Sequence, residues 1–252
     1  MYQREPMPGY GGLVSFFRAP GIELHEAKEG VAVVAGVPID NGISSGRAGT
    51  RFGPRAIREA SLSVPDMYHI QPDRTTFDAA TGKGLRLKES FELYDAGDFN
   101  FFPTDLMKTT DSVIEGMTEL TKRGAFPVVL GGDHYVTYPS FTGFAKGIAE
   151  RKAGSRIGYI HIDSHMDFQD SNAIGGRYNH GTMVRRISEN PMVSFSNLAW
   201  VGLNSGLRFD QALLRKAHNL KMMSYADNRE RGIEQVMREA MEVASDGTDV
   251  VY

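Results

Sequence analysis

The chain has 252 residues, no cysteine and a formal net charge of −3. That length suits one α/β domain whose core needs neither disulfide nor thiolate-zinc staples. The near-neutral charge excludes the basic footprint of a nucleic-acid binder, and no run reaches the roughly 18 apolar residues of a membrane helix. The opening MYQREPMPGYGG lacks the apolar stretch of a signal peptide. With cysteine absent as well, a cytoplasmic location is expected.

Residues 1–30, rich in Gly, Pro and charge, read as an N-terminal arm, and 31–252 as the α/β domain. VAVVAG (31–36) is a short apolar run and predicts a buried strand, followed by a Gly/Ser-dense loop over 38–54. Pro54 stands where a proline opens a helix, with RAIREAS continuing it. Further strands are predicted at 92–98, 126–132, 156–163, 197–203, 221–223 and 249–252. Helices are predicted near 104–123, 138–151, 181–189, 208–218 and 228–245. Strands alternating with helices imply a mainly parallel sheet covered on both faces. In such sheets ligands bind outside the carboxyl ends of the strands.

Polar residues recur at those ends. Asp163, His165 and Asp167 alternate, so they share one side if the strand persists into the following loop. Two carboxylates and an imidazole converging need a cation between them, and oxygen plus nitrogen donors without sulfur suit Mn²⁺, Ni²⁺, Fe²⁺ or Zn²⁺. Asp163 can equally cap a turn, and in GGDH (131–134) Asp133 and His134 can cap the following helix. Two such strand ends in one sheet carry more weight than either alone. His180, at a loop-to-helix junction, is a candidate proton shuttle or a surface loop histidine. Four of the seven histidines fall between 134 and 180, which shifts weight towards a site. His161, one step back inside the strand, reads as a core histidine bonded to a neighbour and not as a ligand.

Together these residues resemble the ureohydrolase family of arginases, agmatinases and related guanidine hydrolases, on its agmatinase-like branch. GGDH (131–134) is similar to the family's first metal motif, DSHMD (163–167) to its D-A-H-x-D motif with Ser for Ala, and HGT (180–182) to its catalytic-histidine segment. GVPIDNGISSGRAGTRFGPRAIREAS (36–61) and GLVSFFRAP (12–20) resemble agmatinase-like segments.

The resemblance implies a three-layer α/β/α fold with a central, mainly parallel sheet and two divalent metals, Mn²⁺ or alternatively Ni²⁺. By motif, His134 and Asp167 would bind the first metal, His165 the second, and Asp163 both, while His180 would shuttle protons. The implied reaction is hydrolysis of a guanidino compound, agmatine or a guanidino acid, to urea and an amine. Guanidine itself and substituted guanidines or biguanides are alternative substrates, and a non-catalytic subunit of a ureohydrolase-like oligomer is an alternative role. A trimer or hexamer is implied, homo-oligomeric or with a second chain. The family pattern continues with an S-x-D-x-D-x-x-D-P segment after a strand such as DVVY. With Tyr252 the last residue, the 31–252 domain is expected to be truncated at its C-terminus. Loops at 38–50, 168–180 and 203–208 would select the substrate, with Arg47, Tyr178, Asn179 and Asn204 as candidate contacts.

Overall fold

The computed structural model describes residues 12–40, 48–63, 76–77, 79–82, 84–85, 92–204 and 221–252. They fall into two compact units, one within Met1–Asp40 and Ala48–Gly132, the other within Asp133–Tyr252.

The first unit is built on three parallel strands. β1 (Ala32–Val37) lies between two others still to come in the chain, and all six of its residues are buried. A central parallel strand is covered on both faces, which is why VAVVAG is unbroken apolar sequence. Next comes α1 (Gly53–Ser61), with Pro54 in its first turn as expected. A small antiparallel pair follows, β2 (Thr76–Phe77) and β3 (Gly84–Leu85). β4 (Leu93–Asp98) and β5 (Phe126–Gly131) then pair with β1 on either side. Between them α2 (Leu106–Lys122) starts at Asp105, whose carboxylate accepts the Lys108 N–H at 2.9 Å, and buries Val113, Met117 and Leu120.

Residues of the expected arm pack against this sheet: Phe16 and Phe17 cover the cluster of Ala19, Ala32, Val34, Leu93 and Leu130. Arg58 of α1 is buried. Its guanidinium donates twice to Asp95 (2.8 and 3.0 Å), once to Asp98 (2.6 Å) and once to the Gly97 carbonyl (2.7 Å). After β5 the backbone passes so close to β1 that a methyl on Gly132 would sit 2.0 Å from the Ile39 carbonyl oxygen. That approach requires glycine.

The second unit holds four parallel strands in the order β8-β7-β6-β9. α3 (Thr137–Arg151) precedes β6 (Ile157–Ile162), and α4 (Met183–Ser188) precedes β7 (Val193–Leu203). β8 (Lys221–Ser224), α5 (Tyr225–Arg231), α6 (Ile233–Ser245) and β9 (Val250–Val251) complete it. β7 begins four residues earlier than predicted. The single helix expected at 228–245 is two helices, because Gly232 at φ 82° breaks the run. The helix expected near 208–218 lies outside the described residues. α6 packs Val236 and Ala240 onto Ala199, Val201 and Met223. Its end lies so close to β6 that a methyl on Gly158 would be 1.8 Å from the Ala244 carbonyl oxygen.

Candidate metal centre

β6 ends at Ile162, so the alternation expected to run from Asp163 to Asp167 stops at the strand's edge. A loop takes over, and the main chain holds it from several sides. Asp163 N–H donates to the Val201 carbonyl (3.1 Å), Asn204 N–H to that of Ser164 (3.0 Å), and Val184 N–H to that of Asp167 (3.1 Å). The indole of Trp200, fully buried, donates to the Met166 carbonyl at 3.1 Å. Gln169 N–H donates to the Gly181 carbonyl at 3.2 Å, tying the loop to the turn that carries His180. Asp167 itself sits at φ 47°, a left-handed conformation that aspartate tolerates better than most residues. That turn, in place of strand alternation, brings its carboxylate back towards Asp163.

His134 reaches the same place from the turn after Gly132. Asp133, buried beside it, accepts the Tyr135 N–H at 2.8 Å and so caps the short His134–Val136 turn. His134 Nδ1 lies 2.8 Å from Asp167 Oδ2 and 3.8 Å from Asp163 Oδ2. Donor atoms of His134, His161, Asp163 and Asp167 all fall within 4.8 Å of one another.

The electrostatics follow from that crowding. Burial pulls the His134 imidazolium down, but Asp167, Asp163 and Asp133 outweigh it and the net shift is upward. Burial pushes the Asp163 carboxyl up, yet the His165 N–H (2.7 Å) and the His161 and His134 rings prevail and lower it. His161 is dragged down to about 4 by burial and by His134, against the pull of Asp167 and Asp163.

The structure distributes the remaining sequence candidates unevenly. His165 is exposed and lies outside the four-residue group, with Nδ1 3.2 Å from Asp163 Oδ1 and 3.1 Å from Ser164 Oγ. His180 opens the His180–Thr182 turn and is half-buried. Tyr178 is exposed and packs its ring 5.3 Å from that of Tyr138. Asn179 is wholly buried, and its amide is used within the loop: it accepts from Gly181 N–H and Asn172 Nδ2, and donates to the Gly176 carbonyl. Asn204 is exposed at the end of β7. Arg47 lies outside the described residues.

His161 is the residue whose part the sequence understates. It is buried and bonded to a neighbour, as expected, with Tyr159 Oη 3.3 Å from its Nδ1. Its Nε2, however, has no hydrogen-bond partner and lies 3.7 Å from Asp167 Oδ2. The signal was its parity with Asp163 on β6.

Taken as a donor set, two carboxylates and two imidazoles, one with a buried unpartnered nitrogen, fit a divalent metal of intermediate hardness. Parallel α/β folding with such a group beyond a strand end defines an α/β protein with a candidate metal site. The arginase family model matches residues 31–252, and the chain belongs to that family. Family members are hydrolases acting on amidino C–N bonds. The chain is 26% identical over 243 residues to a guanidinobutyrase of Pseudomonas aeruginosa, covering 96% of this chain and 70% of that protein. It is 31% identical over 193 residues to a mitochondrial agmatinase of Gallus gallus, covering 76% of this chain and 50% of that one. It thus spans between half and seven-tenths of the length of these relatives. Among solved structures, proclavaminate amidino hydrolase from Streptomyces clavuligerus superposes with a TM-score of 0.75 at 25% identity, over 97% of this chain and 74% of that one. The arginase-like α/β fold expected from the motifs is therefore the fold observed. No helix among the described residues is long and apolar enough to cross a membrane.

Proposed function

We propose that this protein is a two-metal ureohydrolase that hydrolyses a guanidino compound, agmatine or a guanidino acid, to urea and an amine. The observation that carries the reading is the gathering of His134, Asp163 and Asp167 donor atoms within 4.8 Å in a chain of the arginase family. The names of its relatives, guanidinobutyrase and agmatinase, support the substrate class.

In this reading His134 and Asp167 would hold the first metal, His165 the second, and Asp163 would serve both. Mn²⁺ is the metal expected and Ni²⁺ the alternative; when bound, such ions supply a nucleophile from water at neutral pH. His180, half-buried at the start of its turn, carries protons to the departing amine, for which imidazole is suited near neutrality. Tyr178 and Asn204, both exposed, contact the substrate's tail, while Asn179 fixes the loop between Gly176 and Gly181. The oxygen of a water molecule bonds to the guanidino carbon, the C–N bond to the amine breaks as the carbonyl of urea forms, and a proton from that water, carried by His180, leaves with the amine.

Urea release with Mn²⁺ or Ni²⁺ over agmatine, 4-guanidinobutyrate, 3-guanidinopropionate and guanidine tests the reading. Urea from at least one is the expected result; none from any, with metal demonstrably bound, overturns it. The accompanying proposal of a trimer or hexamer is checked by light scattering.

A further inference from the structure

We propose that His161 is a positioning residue for the Asp167 carboxylate, presenting an Nε2–H to it while Tyr159 fixes the ring from the Nδ1 side. The inference rests on the metal-site reading above and adds a member to it.

The ring's surroundings allow two arrangements. In one, Tyr159 donates its O–H to Nδ1, leaving the proton on Nε2. In the other, Nδ1 carries the proton and a bare Nε2 lone pair faces a carboxylate. Only the first sets a positive hydrogen against Asp167 Oδ2, 3.7 Å away, and it leaves neither buried group repelled. Tyr159 is 3% exposed, and its phenol is held protonated by burial, with Tyr252, Asp167 and Asp163 acting in the same sense, so it has a proton to donate. The ring plane is set as well: it lies parallel to that of His134 within 5°, centroids 5.4 Å apart, and its centroid is 6.1 Å from that of Tyr159 at 25° between planes.

The need for such a donor follows from the place of His134. In this structure His134 Nδ1 is the closest ring donor to Asp167 Oδ2, at 2.8 Å. A nitrogen that ligates a metal cannot keep that proton, so metal binding through Nδ1 takes this donor from Asp167. His161 Nε2 is the other ring nitrogen beside that oxygen. Ligating carboxylates are themselves hydrogen-bonded as a rule, and loss of such a partner typically costs about 10–100-fold in metal affinity. Closing 3.7 Å to hydrogen-bonding distance requires a movement of under about 1 Å, within the reach of a carboxylate rotation.

The test compares His161→Phe, which keeps a flat ring without a donor, with His161→Gln, whose amide N–H can replace the Nε2–H. Affinity for Mn²⁺ is measured by competition with a fluorescent chelator, melting temperature is measured in excess EDTA, and the ring tautomer of the metal-free wild type is read by ¹⁵N NMR. The expected results are an Nε2–H tautomer, a loss of about tenfold or more in Mn²⁺ affinity for His161→Phe, and recovery to within about threefold for His161→Gln. Wild-type affinity in His161→Phe overturns the proposal, as does an Nδ1–H tautomer. So does a Zn²⁺-induced ¹⁵N shift at Nε2 typical of direct ligation. If His161→Phe fails to melt cooperatively, the glutamine variant and the tautomer decide. A wild type that binds no metal sinks the two-metal reading itself, which a failure confined to the His161 variants does not.

Discussion

Replacing Arg58 by methionine keeps most of the stem's apolar volume and removes the guanidinium, and its cost can be worked from the contacts. Arg58 and Asp95 are 7% and 3% exposed at their side chains, so the pair is buried. Removing one partner of a buried pair costs about 3–5 kcal/mol, mostly because the other charge is left uncompensated. Here Asp95 keeps two donors, the Phe16 N–H at 2.7 Å and the Gly97 N–H at 2.9 Å, which argues for the lower end, about 3 kcal/mol. Asp98 is one-third exposed and turns to water at small cost, while the Gly97 carbonyl loses its guanidinium donor. At about 2–4 °C per kcal/mol for a chain of this size, the melting temperature should fall by roughly 6–12 °C. Circular dichroism during urea unfolding measures the loss. Adding Asp95→Asn, which removes the stranded charge but leaves a carbonyl oxygen for only one of the two backbone N–H groups, should recover about 1 kcal/mol. A loss below about 1 kcal/mol for the single variant would refute the reasoning, as would a double variant that loses the sum of both singles.

Three further outcomes are expected. Gly158→Ala would drive a methyl to 1.8 Å from the Ala244 carbonyl, so it should destabilise by about 1–3 kcal/mol or more; an unchanged melting curve contradicts that approach of α6 to β6. Mn²⁺ at a hundredfold excess over its Kd should stabilise by about 2.7 kcal/mol, EDTA should reverse this, and Asp167→Ala should abolish the response in a thermal shift assay. Acid should destabilise: the carboxyls of Asp170 (bonded to Arg186), Glu239 (Lys221) and Asp249 (Lys152) are all held below their ordinary values. A depressed carboxyl adds stability that is complete above its unfolded pKa and lost as pH falls through the folded one. The melting temperature should therefore hold between pH 7 and 5 and drop progressively below about pH 4. A curve flat to pH 2.5 contradicts these pairs.

Strands legible as apolar runs were the easiest part of the fold, because a parallel strand covered on both faces needs little but Val, Ile, Leu and Ala, as in VAVVAG. Asp163 and Asp167 were legible as a pair, but for a reason that does not hold: the strand stops at Ile162, and the left-handed turn at Asp167, which no alternation rule announces, gathers them. The break at Gly232 carried a signal in the glycine itself, whereas the earlier start of β7 did not, since Ser194, Phe195 and Ser196 make an unremarkable run. His161 shows a different limit. Parity places it on the right side of β6, but whether a buried ring is satisfied depends on Tyr159 and Asp167 in three dimensions. The buried pairing of Arg58 with Asp95 spans 37 positions and left no local trace.

The loop after β6 is fastened almost wholly through peptide groups: the N–H of Asp163 and Gln169 and the carbonyls of Ser164, Met166 and Asp167. Peptide groups are the same whatever side chain they carry. The lashings therefore survive exchange of the residues between the carboxylates, and Ser164 can stand where the family motif has alanine without loosening them. A chain built this way separates the frame of its chemistry from the choice of what it acts on. The exposed side chain of Ser164 becomes an interchangeable part, and exchange can be tried there while the carboxylates stay where they are.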